Sequence, residues 1–125
     1  AELQNLMWQN VGVLRTGLKL EKTLLRLQSI RANLEEVIPA KGEAFNLTLQ
    51  DWFDLRAGLL TAEAVTLSAL NRTESRGAHQ REDFTETKES FEQNQSISLD
   101  MNGSLNSSFV TSNNFNELEN VRLMK

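Results

Sequence analysis

The feature that most constrains the fold is a long segment, residues 47–75, in which apolar residues cover more than one face of a helix. Leu49, Trp52 and Leu59 are among them. A helix that is apolar most of the way round is buried between neighbours. We therefore predict a central helix here, with other helices packed against it. Gly58 lowers helix propensity by about 1 kcal/mol relative to alanine, so we expect another backbone to approach closely at this residue.

Two helical patterns precede this segment. Apolar residues at helical spacing predict a short amphipathic helix over residues 2–11 and a second helix over residues 17–37, joined by a glycine-containing connector. Thr16 is the predicted N-cap of the second helix. Pro39 is predicted to end that helix, because proline disfavours a helical residue before it. The aromatic side chains expected in the core are those of Trp8, Trp52 and Phe53.

A β-hairpin is predicted towards the other end of the chain. Asn102 and Gly103 separate two runs in which apolar and polar residues alternate, with strands expected near 96–101 and 104–111. An Asn-Gly pair flanked in this way is a strong local signal for a hairpin. Because an isolated hairpin is only marginally stable in water, we expect this one to pack on the helices or on a domain outside this chain.

Together these patterns predict a mainly α fold class, a three-helix bundle with a small C-terminal β-hairpin. The 125 residues suffice for one domain with a modest core. The bundle is assigned to residues 2–84 and ends in the segment SRGAHQRED. Residues 85–125 are assigned to a polar linker, the hairpin near 96–111 and a tail.

Composition excludes several functional classes. The net charge is −4 and no stripe of lysine and arginine stands out, so no nucleic-acid partner is expected. No apolar run approaches the roughly 18 residues that span a bilayer, so no direct membrane insertion is expected. The chain has no cysteine and one histidine. This excludes disulfides, thiolate catalysis, cysteine-ligated metals and a histidine-rich metal site within one chain.

The densest cluster of charged and titratable groups lies at residues 75–84, SRGAHQREDF. Arg76 is predicted either to hold the C-terminus of the third helix, where a cation contributes about 0.3–1 kcal/mol, or to cross to a neighbouring domain. Gly77 stands where a left-handed C-cap residue belongs. His79 is the obvious candidate for a general base. Without a partner nucleophile or a second histidine, we favour a structural or interface role for it.

The same segment holds a predicted ion pair. Arg81 is followed by two carboxylates, Glu82 and Asp83, and we expect it to pair with one of them. Surface pairs of this kind contribute only about 0–1 kcal/mol. Such a density of charge is therefore better explained by specific docking than by stability.

Two segments carry a family resemblance. Residues 3–17, LQNLMWQNVGVLRTG, and residues 68–84, SALNRTESRGAHQREDF, resemble the C-terminal helical domain of the succinate dehydrogenase/fumarate reductase flavoprotein family. L-aspartate oxidase is a close relative of that family. The resemblance covers residues 2–111 and implies a spectrin-repeat-like bundle appended to a flavoprotein. The chain departs from the family after Phe84, where a proline and a Trp-x-Lys-His segment are usual, and Phe91 is the candidate to replace that tryptophan.

The resemblance implies an activity for a full-length subunit. That activity is hydride transfer between succinate or fumarate and FAD, with electrons passing to an iron–sulfur subunit. The family's flavin-binding and catalytic groups belong to upstream domains, so the resemblance implies no catalytic, cofactor-binding or metal-binding residue in this chain. It also implies a location on the cytoplasmic side of a membrane, held there by partner subunits. Because the chain begins at Ala1 and is helical in pattern by Leu3, we expect it to be part of a longer polypeptide.

Two alternatives stay open at this point. One is the C-terminal domain of L-aspartate oxidase, which Met7-Trp8 suits, although the run NRTE at residues 71–74 favours the succinate dehydrogenase branch. The other is a free-standing helical interaction module. On the favoured interpretation, the charged segment clasps the upstream flavin-binding domain. The residues expected at that interdomain interface are Arg15, Arg72, Ser75, Arg76, His79, Arg81 and Asp83.

Overall fold

The computed structural model describes residues 1–37 and 47–111. Three helices and a small antiparallel hairpin make up most of it, which confirms the predicted fold class. The helices are α1 (Glu2–Asn10), α2 (Gly17–Glu36) and α3 (Leu47–Asn71). The strands are β1 (Leu14–Arg15), β2 (Gln80–Arg81), β3 (Asn94–Leu99) and β4 (Leu105–Val110), and a 3-10 turn covers Glu89–Phe91.

The core lies where α1 and α2 pack on α3. Leu20 and Leu27, seven residues apart on α2, and Leu59 on α3 are fully buried. Burying a leucine side chain contributes roughly 1.5–3 kcal/mol. The core divides into two clusters, one around Val11, Leu20 and Ala69, the other around Leu27, Leu59 and Ala62. Among the described residues, no helix is both long and apolar enough to cross a membrane.

The helix boundaries confirm one predicted cap and correct one predicted end. The Thr16 side chain accepts a hydrogen bond from the Lys19 N–H at 3.3 Å and caps α2 as predicted. Pro39 lies outside the described residues. The third helix was predicted to reach residue 75, but α3 ends at Asn71. Ser75 has already left the helix, because its N–H donates to the Glu86 carbonyl at 3.0 Å.

Two of the three aromatic residues expected in the core are exposed. Trp8 is 85% exposed and Phe53 is 54% exposed, so these predictions were wrong. The core-facing side of α1 is taken by Leu3, Leu6 and Met7, and Trp8, one residue further round the helix, falls off it. Trp52 is half-buried and donates its indole N–H to the Leu34 carbonyl at 3.2 Å.

The explanation offered for Gly58 was also wrong. A Cβ atom at this position would meet the Leu3 side chain at 3.5 Å, which is ordinary van der Waals contact, and within the described part of the chain no neighbouring backbone lies within 4 Å of it. Gly58 therefore marks a contact with a side chain of α1 that has room for a methyl group.

The predicted hairpin is present and packs on the helices. Strands β3 and β4 pair antiparallel, with Leu99 opposite Leu105. In the turn, the Asp100 carboxylate accepts hydrogen bonds from the backbone N–H groups of Asn102 and Ser104 at 2.8 and 2.9 Å, and Gly103 has a φ of +78°. Arg31 of α2 donates to the Gly103 carbonyl at 2.8 Å and so ties the turn to the bundle.

A second, much shorter pairing positions the charged segment. Strand β1, in the connector between α1 and α2, pairs parallel with β2, and Arg15 lies opposite Arg81. The Gln80 N–H donates to the Val13 carbonyl, and the Glu82 N–H donates to the Arg15 carbonyl at 2.8 Å. The connector and the SRGAHQREDF segment therefore meet at one end of the helices. The predicted tail, residues 112–125, lies outside the described residues.

Candidate functional site

All seven residues predicted for the interface come together in one hydrogen-bonded network. The Arg15 side chain contacts His79, and His79 contacts the Arg72 carbonyl. Arg72 and Arg76 share one carboxylate. Arg81 joins the remaining members, since it pairs with Asp83 and its backbone N–H donates to the Ser75 hydroxyl at 2.8 Å. The network connects the end of α3 to the β1 connector.

Arg81 is the cation that holds the end of α3. Arg81 is only 3% exposed, and its Nη1 donates to the carbonyls of Ala69 and Leu70 at 2.9 and 3.0 Å. The last carbonyls of a helix have no partner within the helix and carry the negative end of its dipole. The guanidinium therefore gives two of these carbonyls a hydrogen-bond donor and places a positive charge at the negative end of the helix dipole.

The other side of the Arg81 fork reaches a second helix. Nε and Nη2 donate to the two oxygens of Asp83 at 2.7 and 2.8 Å. Asp83 Oδ2 also accepts from the N–H of Gly17, the first residue of α2, at 2.9 Å. Each charge thus lies at the helix end whose dipole it stabilises. The predicted pair forms with Asp83, but it is not a surface pair, because its cation is buried.

The electrostatics of Asp83 follow from these contacts. Hydrogen bonds from Arg81 lower its pKa well below the usual range against the opposing effect of burial, and the Gly17 N–H lowers it further. Gly17 suits this geometry, since a Cβ there would lie 2.9 Å from Asp83 Oδ2 and 3.1 Å from Arg81 Nη2, and these side-chain ends would have to shift.

Glu74 is a central residue that the sequence reasoning missed. It is fully buried, and Oε1 accepts from Arg72 Nη1 at 2.7 Å and from Arg76 Nε at 3.0 Å. Oε2 accepts from the Lys88 N–H at 2.8 Å. Burial would raise its pKa, but the hydrogen bonds from Arg76, Lys88 and Arg72 outweigh this and lower the pKa to about 2. The available signal was a carboxylate between two arginines, each two residues away.

Arg76 and Gly77 do not hold the end of α3, so the helix-end interpretation of Arg76 and the C-cap interpretation of Gly77 were wrong. Arg76 binds Glu74 and donates Nη2 to the Lys88 carbonyl at 3.1 Å, because Arg81 already occupies the helix end. Gly77 is left-handed as predicted, with a φ of +56°. It serves the tight turn closed by the reciprocal backbone bonds of Arg76 and His79, at 2.8 and 3.0 Å.

Arg72 joins the end of α3 to the segment that follows. Its Nη1 donates to the Phe91 carbonyl and its Nη2 to the Gln93 carbonyl, both at 2.7 Å. The guanidinium also lies 5.7 Å from the ring centre of Phe91 and 5.8 Å from that of Phe109. Phe91, where a tryptophan is usual in the resembled family, therefore supplies an aromatic face for this arginine.

The contacts of His79 define its protonation. Nδ1 lies 2.7 Å from Arg15 Nη1, and Nε2 lies 2.9 Å from the Arg72 carbonyl oxygen. A guanidinium has only donors, so Nδ1 accepts and Nε2 carries the proton of a neutral imidazole. Burial lowers the pKa of His79, and the positive charges of Arg15, Arg81 and Arg72 lower it further, against the hydrogen bond to the Arg72 carbonyl. Both ring nitrogens are engaged in structural contacts.

Arg15 and His79 also line an open cavity of about 360 Å³ beside α3. Its other walls come from α3, from Arg72 directly after it, and from β3, namely Ala64, Val65, Ser68, Ala69, Arg72 and Gln95. Within the described residues, no group of three or more histidine, aspartate or glutamate side chains is placed to hold a metal ion. The site is therefore a network of guanidinium groups and carboxylates with an open cavity at one edge.

The fold and these motifs define a class of domain that comparison with known proteins identifies. Residues 1–119 match the family described as fumarate reductase flavoprotein C-term. The chain belongs to this family, the C-terminal domain of fumarate reductase and succinate dehydrogenase flavoprotein subunits. The family resemblance of residues 2–111 is thereby confirmed.

Individual relatives agree with the family. The chain is 41% identical to an uncharacterised FAD-dependent oxidoreductase of Methanocaldococcus jannaschii, over 74% of this chain and 16% of that protein. It is 31% identical to the 8-methylmenaquinol:fumarate reductase flavoprotein subunit of Wolinella succinogenes, over 83% of this chain and 17% of that subunit. An L-aspartate oxidase of Oryza sativa is 33% identical, over 71% of this chain and 14% of that protein. The chain thus spans about one sixth of the length of these relatives.

A solved structure shows the same fold. FrdA of an Escherichia coli quinol fumarate reductase variant superposes with a TM-score of 0.79 at 31% identity, over 86% of this chain and 19% of that chain.

Proposed function

We propose that this chain is the non-catalytic C-terminal domain of an FAD-dependent subunit that interconverts succinate and fumarate. Family membership over residues 1–119 carries the proposal. In the full-length subunit, the domain packs on the flavin-binding domain of the same polypeptide, and electrons pass between the flavin and an iron–sulfur subunit. Partner subunits hold the assembly at the cytoplasmic side of a membrane. Within the chain, we assign residues 2–84 to the bundle, ending in the SRGAHQRED segment, and residues 85–125 to a polar linker, the hairpin near 96–111 and a tail.

The described residues do not fit FAD, which supports placing the flavin in another domain. A dinucleotide pyrophosphate binds where a glycine-rich turn follows a strand and opens a helix. The nearest equivalent here is the step from β1 into α2, with Gly17 as the first helical residue. Its N–H already binds the Asp83 carboxylate at 2.9 Å, so an anion of this chain occupies the position that a phosphate would need.

The network of arginines and carboxylates supports a docking role for this end of the bundle. Ser75 and Arg81 are 5% and 3% exposed, and the hydrogen bond between them lies inside the segment. Arg15, Arg76 and His79 are half-buried and so have part of their surface free for contact. We infer that the rigid inner pairs fix the geometry of the outer side chains. The outer side chains then meet the flavin-binding domain.

The test compares the 125-residue chain with the full-length subunit. The full-length protein is expected to purify with flavin in stoichiometric amount and to oxidise succinate with an artificial electron acceptor. The isolated chain is expected to do neither. Stoichiometric flavin absorbance in the isolated chain would overturn the assignment of the flavin to another domain. A flavin-containing full-length protein without activity on succinate or fumarate would overturn the proposed reaction.

The L-aspartate oxidase alternative is supported by the 33% identity to a relative of that name. The same full-length preparation distinguishes it, because turnover with L-aspartate in place of succinate would establish that branch. A free-standing interaction module is disfavoured by family membership over nearly the whole chain. The upstream reading frame tests it directly, since the subunit proposed here requires a glycine-rich dinucleotide fingerprint in that region.

A further inference from the structure

The cavity beside α3 combines an arginine with an apolar wall. The wall is formed by α3, where Ala64 and Val65 line the cavity and Val65 is 43% exposed. Arg15 and His79 also line it. We call this feature the Arg15 groove. Its volume of about 360 Å³ is open to solvent and is large enough for a side chain of a partner.

The charges around the Arg15 groove are not balanced. Arg81 pairs with Asp83, and Arg72 and Arg76 share Glu74. The four arginines of the network therefore have two hydrogen-bonded carboxylates, and Glu92 acts on Arg76 by its charge alone. Within the described residues, no carboxylate lies within ion-pairing distance of Arg15. This excess of positive charge is notable in a chain whose net charge is −4.

The present partners of Arg15 are all neutral. Its Nε donates to the carbonyls of Gly12 and Val11 at 2.7 and 3.3 Å, and Nη1 donates to His79 at 2.7 Å. Burial and the charge of Arg81 lower the pKa of Arg15. Both effects disfavour the charged form, and an anion in the groove would offset them.

A second donor beside the groove has no hydrogen-bond partner among the described residues. Gln95 of β3 lines it, and the Nε2 amide nitrogen of this side chain is buried without a hydrogen-bond partner among the described residues. A buried donor without an acceptor costs about 1–3 kcal/mol. A guanidinium and an amide N–H on the same cavity are both donors. The ligand that complements them is a carboxylate, which has two acceptor oxygens and a negative charge.

We propose that the Arg15 groove receives one aspartate or glutamate side chain from the flavin-binding part of the full-length subunit. The proposal rests on the proposed function and names the chemistry of the contact. The methylene stem of the acidic residue lies along Val65, and its carboxylate binds Arg15. Val13 and Leu14, directly before Arg15, are 57% and 64% exposed. An apolar surface beside the groove favours a polypeptide partner over a free small anion.

Carboxyl labelling of the full-length subunit tests the proposal. A carbodiimide and an amine modify accessible carboxylates, and mass spectrometry gives the rate at each residue. In the wild-type protein, one carboxylate outside residues 1–125 is expected to react slowly. Arg15→Gln is expected to raise the rate at that carboxylate by about tenfold or more, as follows from losing a hydrogen bond to a charged group. Arg26→Gln, which breaks the exposed pair with Glu2, is the matched control and is expected to leave it unchanged.

A second pair of variants keeps the test decisive if Arg15→Gln disturbs the connector. Val65→Glu introduces a carboxylate into the groove at an exposed position, where it competes for Arg15 and repels the incoming acid. It is expected to raise the labelling of the same outside carboxylate. Val65→Gln introduces a neutral side chain of the same shape as glutamate and is expected to change the labelling much less.

The proposal is overturned if neither Arg15→Gln nor Val65→Glu changes the labelling of any carboxylate outside residues 1–125. It is also overturned in favour of a free ligand if acetate or succinate raises the melting temperature of the wild type, but not of Val65→Glu, with outside labelling unchanged. The flavin content and succinate turnover of the wild-type preparation are measured separately. Their absence would refute the proposed function, while unchanged labelling in an active, flavin-containing protein would refute only the groove.

Discussion

Replacing Arg81 by methionine is expected to lower the free energy of unfolding by about 3–5 kcal/mol. Methionine keeps a long, unbranched apolar stem but donates no hydrogen bond. The variant loses the contacts to Asp83 at 2.7 and 2.8 Å and those to the carbonyls of Ala69 and Leu70 at 2.9 and 3.0 Å. Removing one partner of a buried ion pair costs about 3–5 kcal/mol. We expect the lower half of that range, because the Asp83 side chain is 35% exposed and regains water.

Urea denaturation of the 125-residue chain, followed by circular dichroism, measures this change. Arg26→Met is the control, since Arg26 and Glu2 form a pair whose side chains are 51% and 61% exposed. Such a pair contributes only about 0–1 kcal/mol. If the two variants differ by less than about 1 kcal/mol, the Arg81–Asp83 pair does not join the two helix ends energetically. The double variant Arg81→Met/Asp83→Asn should cost less than the sum of its parts, as expected for residues in contact.

Two further predictions concern Gly17 and His79. Gly17→Ala is expected to destabilise the chain by about 1–3 kcal/mol, because its Cβ would lie 2.9 Å from Asp83 Oδ2. Gly58→Ala, with room for a methyl group, should instead stabilise by up to about 1 kcal/mol, and equal shifts in urea midpoints would contradict the packing argument. Since the pKa of His79 is lowered, its stabilising contribution is present above about pH 6.5 and decreases as the pH falls below it. The stability difference between wild type and His79→Gln should therefore shrink as the pH falls from about 7.5 to 5.5. Burial raises the pKa of Glu63, which changes stability in the opposite direction. Because Glu63 is present in both proteins, its effect cancels in the difference. A constant difference would refute a neutral imidazole at His79 with a lowered pKa.

The structure changes the meaning of the SRGAHQREDF segment. Arg81 could be read from the sequence as half of a surface ion pair, but it is buried and bridges two helix ends. Its neighbour in space, Glu74, gathers donors from Arg72, Arg76 and the Lys88 backbone. Within the segment, the Arg81 charge is directed inward, whereas Glu82 and Asp83 are exposed and Arg76 is half-buried. The side chains with free surface, such as Arg15 and His79, are the ones from which docking is proposed.

Local signals predicted the features that depend on neighbouring residues along the chain. Apolar residues at helical spacing predicted α2, whose Leu20 and Leu27 lie in the core. Thr16 capped α2 as its position indicated, and the Asn-Gly pair marked the hairpin turn. Each of these depends on backbone geometry within a few residues. The family motifs also predicted the class of domain, and comparison with known proteins confirmed it.

What the sequence by itself determined was the set of helices, the hairpin and the family to which they belong. Only the tertiary structure decided that α3 ends at Asn71, that Trp8 is exposed and that Arg81 is buried. The physical reason lies in sequence distance. The Asp83 carboxylate meets Gly17 across 66 residues, and Arg15 meets His79 across 64. Whether a charge is solvated or buried depends on such distant partners, and the pairing of β1 with β2 brings them together.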